Sequence, residues 1–445
     1  MRQKYARRWG ASDMRSELWE TTTFGELIQR DALQINDGHR AKLAELGGDG
    51  PVFFRAGLLT AVGVDTNGAD QFRDEVTIPE QKYARARDTF VTTKGNSVGR
   101  AGFMPHGLPP LVYSPHLSYW RSLDETVLHP EFMRYWALGP EFLAQLRAMA
   151  HGTDMAPYLS LVDQKRLLIS LPPVAVQQRI AGVLGALDDK IDNNRRLAGL
   201  LEETAAALFR ARFVDFVGVE EFDESEIGPV PVGSRVGEFS EVVVIHKASV
   251  QPSQTPGDLF EHFSIPAFDT GRLPVRETGA AMLSAKTTLP DGDRVLVSKL
   301  NPLTKRVWWP RLLSSDRAVC SPEFVVLTAR EGVPSSFVYA TCEADDSFYN
   351  QLLAHVAGTT GSRQRVKPTD VLRPKVRVPD SSELARWDLA AKPLYDLAGR
   401  LVFESQTLVG LRDALLPKLI SGQIRVPDTT DPEEVIGPVA EELAV

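Results

Sequence analysis

The chain has 445 residues, enough for two or three domains of ordinary size. Its hydrophobic fraction of 43% and charged fraction of 24% are typical of a folded globular protein rather than a disordered one. No run approaches the ~20 apolar residues that span a bilayer, and no apolar signal core follows the basic residues 1–9. The only cysteines, Cys320 and Cys342, argue against a disulfide framework, so we expect a reducing, cytoplasmic location.

The net charge of −8 counts against a nucleic-acid partner, but such binding depends on local patches of positive charge. Basic residues are concentrated in three windows, 82–107, 294–317 and 363–377. Acidic residues are concentrated in 220–226 and in the C-terminal tail. From charge alone, the basic windows fit an ordinary solvated face as well as they fit a nucleic-acid surface.

The chain contains one long internal repeat with an offset of roughly 200 residues. Residues 88–94 pair with 293–299, and each segment leads to a proline eleven residues further on. Other pairs occur in the same order along both halves. They are 24–27 with 236–239, 151–153 with 357–359, and 170–172 with 377–379. A collinear series of this kind predicts two halves with one architecture.

Each half begins with roughly 150 residues of short β-like runs, such as 51–54 and 324–327, which are broken by Gly, Pro, Asp and Asn. A long helical stretch follows. In the first half it runs from Val174 to about Phe216, and its apolar positions alternate in steps of four and three, a heptad seam with Asn194 as its polar member. The seam positions are Ile180, Leu184, Leu187, Ile191, Ala198, Leu201, Ala205 and Leu208.

The helix of the second half carries a similar seam, which is interrupted by the charged Glu404. Its positions are Trp387, Leu394, Leu397, Leu401, Leu408, Leu411 and Leu415. The simplest partner for each helix is the other one. The alternative is two ordinary core helices, which the ~60 Å length of the first helix disfavours. Pro393 should bend the second helix or mark its start.

Several motifs border these helices: 171–173 with 177–180, 187–194, 209–216, 227–231 and a C-terminal signature at 411–422. A glycine-rich turn lies at 94–100. Together these motifs resemble those of one protein family, the specificity subunits of type I restriction-modification systems, and the turn is similar to one in the family's first recognition domain. The resemblance covers about residues 19–427.

The resemblance implies an α+β fold with two mostly β target-recognition domains, related by a pseudo-twofold repeat and separated by two long antiparallel coiled-coil helices. The expected segments are an N-terminal extension (1–18), target-recognition domain 1 (19–171), a central conserved helix (172–217), target-recognition domain 2 (218–379), a C-terminal conserved helix (380–421) and an acidic tail (422–445).

The resemblance also implies a function without chemistry of its own. The chain would read a bipartite site on double-stranded DNA and dock two methyltransferase subunits and motor-nuclease subunits. S-adenosylmethionine and ATP are expected in those partners, and no cofactor is expected in this chain. One alternative is a self-contained restriction or methylation enzyme that carries its own recognition domains. Another is a protein-interaction scaffold without a DNA role.

Two motifs suggest catalysis but fit it poorly. Residues 301–304, Asn-Pro-Leu-Thr, lack the second proline and the aromatic residue of the adenine-methyltransferase signature, so we expect a turn there. Gly95, Gly99 and Gly102 match neither the dinucleotide nor the Walker spacing, and a tight turn at the DNA surface is the better interpretation. The scattered histidines predict no zinc site.

Base-reading residues should be polar side chains on loops beside the basic windows. Arg and Lys bond guanine, and Asn and Gln suit adenine. Half or more of protein–DNA hydrogen bonds go to the backbone, so we expect most of the candidates to contact phosphate. The DNA-binding candidates are Lys94, Asn96, Ser97 and Arg100 in the first half, and Lys299, Asn301, Thr304, Lys305, Arg306, Ser362, Arg363, Gln364 and Arg365 in the second.

Overall fold

The computed structural model of the chain describes residues 19–426, apart from 61–62, 96, 151–157, 291–293, 311–316 and 357–363. The chain forms two compact units, one of Met1–Asp192 with Gln406–Val445 and one of Asn193–Ser405. Both units combine helices with small, mainly antiparallel sheets, so the predicted α+β class is confirmed. Among the described helices, none combines the length and the apolar composition needed to cross a membrane.

The first unit starts with a capping box, in which Thr23 accepts a hydrogen bond from the amide of Glu26 and the Glu26 carboxylate accepts one from the amide of Thr23. In chain order the elements are β1 Glu20–Thr23, α1 Phe24–Gln29, β2 Leu33–Asp37, β3 Val52–Phe54, β4 Leu59–Thr60, β5 Gly63–Val64, β6 Thr89–Thr92, β7 Ala101–Phe103, β8 Leu111–Tyr113, β9 Leu117–Ser122, α2 Pro130–Trp136, α3 Pro140–Ala150, α4 Leu161–Lys165, β10 Leu168–Leu171 and the long helix α5 Val174–Phe213.

The second unit follows from within α5. Its elements are β11 Phe222–Asp223, β12 Val230–Pro231, β13 Arg235–Glu238, β14 Val243–His246, β15 Ser249–Val250, β16 Leu259–Phe263, α6 Ile265–Asp269, β17 Val275–Thr278, β18 Lys286–Thr288, β19 Val295–Ser298, β20 Val307–Trp308, β21 Ala318–Cys320, β22 Phe324–Ala329, α7 Ser335–Ala344, α8 Asp346–Leu353, β23 Lys375–Val378 and the long helix α9 Ser381–Ile420. The predicted runs 51–54 and 324–327 thus lie at β3 and β22.

A four-stranded antiparallel sheet has the same strand order in each unit. The order is β2-β9-β6-β7 in the first unit and β14-β22-β19-β20 in the second. Strands β6 and β19 are buried along their whole length, which fits their runs of β-branched and apolar residues. A separate antiparallel pair, β1 with β10 or β13 with β23, also recurs. The sheet topology is therefore repeated within the chain.

The structure corrects the alignment of the halves by one residue at the end of β6 and β19. The sequence repeat paired Lys94 with Lys299. However, the amides of Thr93 and Lys299 make the same bond, to the carbonyl just before β9 or β22, at 2.8 and 2.9 Å. Lys299 is thus equivalent to Thr93, and Lys94 to Leu300. In an extended chain a one-residue shift moves a side chain to the opposite face.

A second correction concerns the start of each half. The repeat paired Phe24 with Val236, but the equivalent of Phe24 is Phe239. The amides of both phenylalanines bond the carbonyl just before β10 or β23, at 3.0 and 2.8 Å, and both side chains are fully buried. The predicted pair 151–153 with 357–359 lies outside the described residues.

The two long helices pack against each other in the core of the first unit. Ile180, Leu184 and Leu187 of α5 share one buried cluster with Leu411 and Leu415 of α9. All five positions were predicted as seam residues. The prediction that each helix is the other's partner is therefore supported within this unit.

The helices also pack against each other within the second unit. Ala198 of α5 clusters with Ala398 and Leu401 of α9. Further along α5, the ring of Phe209 lies edge-on to Trp387 with centroids 5.5 Å apart. Within this unit, later residues of α5 therefore contact earlier residues of α9.

Two predicted seam positions are wrong. Leu208 and Leu397 are 44% and 38% exposed, whereas Phe209 and Ala398 beside them are each 1% exposed. From Ala205 the buried positions of α5 advance by four residues, because this part of the helix packs against the core of the second unit. Such packing needs a wider apolar stripe than a heptad seam provides.

The polar residue predicted in the seam of α5 is buried, and the one predicted in the seam of α9 is not. Asn194 is buried, at 3% exposure, as predicted. Glu404 is exposed instead, and the buried polar residue of α9 is Ser405, whose hydroxyl donates to the carbonyl of Leu401 at 2.8 Å. A serine satisfied by its own helix can occupy a buried position that a carboxylate cannot.

The second helix does not start at Pro393, which was one of the two expectations for that residue. It begins at Ser381 and continues to Ile420. Pro393 is exposed, and Leu389, whose carbonyl loses its helical bond, is 81% exposed. Water can therefore satisfy that carbonyl, and the helix tolerates the proline.

Candidate nucleic-acid interface

The glycine-rich turn of the first half connects β6 to β7. The amide of Gly99 donates to the carbonyl of Thr92 at 2.8 Å, and the amide of Arg100 donates to the carbonyl of Ser97 at 3.0 Å. Gly99 has a φ of +84°, and a Cβ there would lie 1.9 Å from the side chain of Leu146, so the position requires glycine. The predicted tight turn is confirmed around the candidate Asn96, which itself lies outside the described residues.

Lys94 lies on an exposed aromatic side chain that the sequence analysis did not single out. Its Nζ is 4.8 Å from the ring centroid of Tyr158, and a backbone bridge also joins the two residues. The Tyr158 side chain is 57% exposed. A cation over a half-exposed ring is a combination that can contact both a phosphate and a base.

A small polar pocket of about 120 Å³ lies beside this pair. Asp37, Gly38, Arg40, Lys94 and Tyr158 are among its lining residues. Arg40 is exposed, and no described residue forms a hydrogen bond or ion pair with its side chain. The pocket therefore brings together two basic side chains and one aromatic ring.

The other two candidates of this turn are also exposed. Ser97 is exposed, and its hydroxyl makes no hydrogen bond with the residues that the structure describes. Arg100 is exposed as well, and its Nη2 donates to the carbonyl of Leu59 at 2.9 Å. Both lie within a few residues of Lys94 on the same turn, so the structure brings together the described candidates of the first half.

In the second half, residues 301–304 form the predicted turn. Asn301 has a left-handed φ of +45°, and its carbonyl accepts from the amide of Thr304 at 3.0 Å. The Tyr349 hydroxyl donates to the carbonyl of Pro302 at 2.8 Å and holds the turn against α8. The motif serves as a structural turn at the end of β19.

The basic candidates of the second half are held by neighbouring groups. Lys305 donates to the carbonyl of Glu343 at 2.9 Å. Arg306 makes two hydrogen bonds with Asp269, at 2.7 and 2.9 Å, and these bonds raise the pKa of its guanidinium above the ordinary value. A cation already paired in this way contributes less to a phosphate contact, because it must exchange one anion for another.

The remaining second-half candidates lie around the same turn. Lys299 is half-buried, and its backbone bonds the segment at 366. The carbonyl of Gln364 accepts from the amide of Asn301 at 2.9 Å. Arg365 bonds Glu323 at 2.9 Å. The candidates Ser362 and Arg363 lie outside the described residues.

The three basic windows hold fewer free charges than their composition suggests. Many of their cations are bound to carboxylates in the same unit. The pairs are Lys82–Asp37, Arg85–Glu80, Arg87 with Glu125 and Glu131, Arg317–Asp258, Arg373–Asp370, Lys375–Glu226 and Arg377–Glu383. Hydrogen bonds with Glu131 raise the pKa of Arg87 further above its already high value. Cations paired in this way are less available for contacts with phosphates.

Tyr158 and Arg40 are the residues that sequence reasoning missed. The bridge between Lys94 and Tyr158 has its equivalent in the bridge between Leu300 and Arg365. Arg365 was a candidate. An offset between the halves one residue larger than that of the pair 151–153 with 357–359 would have made Tyr158 its counterpart. No comparable signal marks Arg40. Among the described residues, no group of three His, Cys, Asp or Glu side chains could hold a metal ion.

No family model matches the chain. A type I restriction enzyme MjaIX specificity subunit from Methanocaldococcus jannaschii is 25% identical over 292 residues, which cover 62% of this chain and 65% of that protein, slightly less than two thirds of its length. A type I restriction enzyme HindI specificity subunit from Haemophilus influenzae is 30% identical over 94 residues, 21% of this chain and 20% of that protein.

The fold is similar to that of a solved protein. The crystal structure of a type I restriction-modification system S subunit from M. genitalium superposes with a TM-score of 0.56, covering 94% of this chain and 98% of that chain at 13% identity. At that identity the match establishes the fold alone. The curated relatives and this shared fold together confirm the resemblance that the helical motifs indicated, to the specificity subunits of type I restriction-modification systems.

Proposed function

We propose that the chain is the non-catalytic specificity subunit of a type I restriction-modification complex and reads a bipartite site on double-stranded DNA. The observation that carries the proposal is the repeated sheet, with a polar turn after an equivalent buried strand in each unit. Two similar surfaces on one chain suit a site with two separate halves. The names of the sequence relatives support the same function.

We infer a finer architecture from the same repeat. Two mostly β recognition domains would be related by a pseudo-twofold axis, with α5 and α9 as an antiparallel coiled-coil spacer between them. The helix contacts within each unit support this arrangement. On this proposal the helices set the gap between the two half-sites.

We propose that the chain assembles with two methyltransferase subunits and with motor-nuclease subunits in the cytoplasm. S-adenosylmethionine and ATP would bind to those partners, and this chain would bind no cofactor. Its contribution to the reaction is then to position partner active sites on a chosen sequence. The chemistry would belong to the partners.

The proposed DNA contacts differ between the halves. In the first, Lys94 and Arg40 would contact phosphates, and Tyr158 would pack on a sugar or base. In the second, Asn301 and Thr304 are the uncharged polar groups of the turn. The paired cations around that turn would contact DNA only by exchanging their carboxylate partners.

The experiment is a comparison of the chain alone with the chain reconstituted with its methyltransferase subunits. We expect the reconstituted complex to methylate one bipartite DNA motif, read by mapping methylated adenines, and the chain alone to methylate nothing. Methylation by the purified chain alone would support the self-contained enzyme instead. Reconstitution without any change in DNA retention would support the protein scaffold.

A further inference from the structure

Leu303 lies at the tip of the turn that joins β19 to β20 in the second unit. Its side chain is 67% exposed, whereas the preceding Pro302 is buried. Single exposed leucines are ordinary on protein surfaces, so exposure alone assigns this residue no role. Its position is more informative, because it lies between Asn301 and Thr304, the uncharged polar groups proposed to contact DNA. A turn between two antiparallel strands is also a shape that the major groove of B-DNA admits.

The backbone of this turn is held on both sides of its tip. The amide of Ser298 donates to the carbonyl of Arg306 at 3.0 Å, and the amide of Thr304 donates to the carbonyl of Asn301 at 3.0 Å. The amide of Asn301 donates to the carbonyl of Gln364 at 2.9 Å and so attaches the turn to a neighbouring segment. A tip residue on a backbone that is already ordered loses little entropy on binding, so more of its contact energy contributes to affinity.

The turn between β6 and β7 in the first unit has the same backbone geometry but a different residue at its tip. The residue two positions before the tip has a left-handed φ in both turns, +85° at Gly95 and +45° at Asn301. Its carbonyl accepts from the amide three residues further on, at 3.2 and 3.0 Å. Ser97 is therefore equivalent to Leu303, in agreement with the corrected alignment of the two strands, and it is exposed as well. The same exposed position thus carries a hydroxyl in one unit and an aliphatic group in the other.

The cations that follow Leu303 are already bound to acceptors. Lys305 donates to the carbonyl of Glu343 at 2.9 Å, and Arg306 makes two hydrogen bonds with Asp269, at 2.7 and 2.9 Å. An alkyl side chain makes no hydrogen bond to a phosphate or to a polar base edge. The apolar group that bases present in the major groove is the 5-methyl group of thymine. A contact with that methyl group is therefore the base contact that suits a leucine.

We propose that Leu303 is a specificity-determining residue for the half-site that the second unit reads, and that it recognises a thymine by packing against its 5-methyl group. The inference rests on the proposed function for DNA as the partner. It goes further, because it names the chemical group that this half-site must carry. Ser97, at the equivalent position, has no comparable apolar surface, so the two units would require different bases at this point of their half-sites.

The test measures the affinity of the chain, reconstituted with its methyltransferase subunits, for duplexes that carry the mapped motif. Each thymine of the motif is replaced in turn by deoxyuridine, which lacks only the 5-methyl group. One replacement should weaken binding about fourfold, the effect expected for one methyl group removed from an apolar contact. Leu303→Ala should weaken binding to the thymine duplex by at least as much. The two losses should not add, because both changes remove the same contact.

Two further variants serve as controls. Leu303→Met keeps an apolar side chain at the tip and should still discriminate between thymine and deoxyuridine. Leu283→Ala is the matched control, since Leu283 is 83% exposed elsewhere in the same unit, and it should leave both affinities unchanged.

Three results would overturn the inference and leave the proposed function intact. They are a wild-type complex that no deoxyuridine weakens, a deoxyuridine effect that persists in full in Leu303→Ala, and an equal loss on both duplexes in Leu303→Ala. The last is the behaviour of a residue that packs against DNA without reading a base. A wild-type complex that neither binds nor methylates a bipartite motif would instead contradict the proposed function.

Discussion

A lysine that lies across an exposed tyrosine ring is well placed to contact a nucleic acid. The ring of Tyr158 restricts the motion of the Lys94 ammonium, so less side-chain entropy is lost when a phosphate binds. Arg40 lines the same pocket without an ion-pair partner among the described residues. In the second half, Lys305, Arg306 and Arg365 are already bound to acceptors, so they must give up those contacts before they can bind a phosphate.

Lys94→Ala combined with Arg40→Ala should weaken DNA binding and reduce its salt dependence by roughly one unit of slope for each lost phosphate contact. The measurement is DNA affinity of the reconstituted complex at several salt concentrations. Arg30→Ala is the control, because Arg30 is exposed but paired with Glu20 at 2.7 Å. An unchanged slope in the double variant would place both side chains away from the DNA backbone.

The buried ion pair of the first unit serves the fold instead. Asp88 is fully buried and accepts two hydrogen bonds from Arg121, at 2.6 and 2.7 Å. Asp88→Asn should lower the free energy of unfolding by about 3–5 kcal/mol, because it leaves the arginine charge buried and unpaired. Asp70→Asn removes an exposed pair with Arg55 and should cost about 0–1 kcal/mol. Equal urea midpoints for the two variants would contradict this assignment.

At the scale of elements, the helices were easier to predict than the positions along them. The apolar period places α5 and α9 because it depends only on local sequence. Whether Leu208 or Phe209 is buried depends on what the helix packs against, and that contact is not local. The strands were also easier to predict than the positions along them. Lys94 and Lys299 are the same residue type in the two aligned segments, but Lys299 occupies the position equivalent to Thr93.

The polar layer of the helix pair makes a prediction about stability. Asn194 is 3% exposed, and its Nδ2 has no hydrogen-bond partner among the described residues. Asn194→Leu should therefore raise the free energy of unfolding by about 1–3 kcal/mol, because it removes an unsatisfied amide. Glu404→Leu changes an exposed position and should stay within about 0.5 kcal/mol of wild type. Loss of stability in Asn194→Leu would mean that the amide is satisfied, and urea denaturation decides between the two.

At the scale of the whole chain, the internal repeat predicted two copies of one architecture. The matching strand orders of the two four-stranded sheets agree with that prediction, and the pseudo-twofold relation of the halves stays a prediction. It could not indicate which cations are free, because the partners of Arg87 and Arg306 are distant in sequence. For the same reason Arg40 carried no signal, since only folding brings it to Lys94.

On the proposed function, the repeat also predicts that the two units read DNA independently. Each sheet and its turn lie within one compact unit, so a half-site should depend on one unit alone. Exchanging residues 19–165 for the equivalent segment of another specificity subunit leaves β19, β20 and the turn at 301–304 unaltered. The segment ends before β10, and Leu168–Leu171 is retained, so its pairing with the new β1 should be preserved by choosing a donor with the same register.

We expect the exchanged chain, reconstituted with its methyltransferase subunits, to methylate a motif in which one half-site is new and the other is unchanged. The matched control replaces 19–165 with the segment of a donor that recognises the same half-site, and its motif should not change. Mapping methylated adenines across a genome reads both halves in one experiment. A motif altered on both sides would mean that the units do not read DNA separately, because a change confined to one sheet would then have reached the turn of the other.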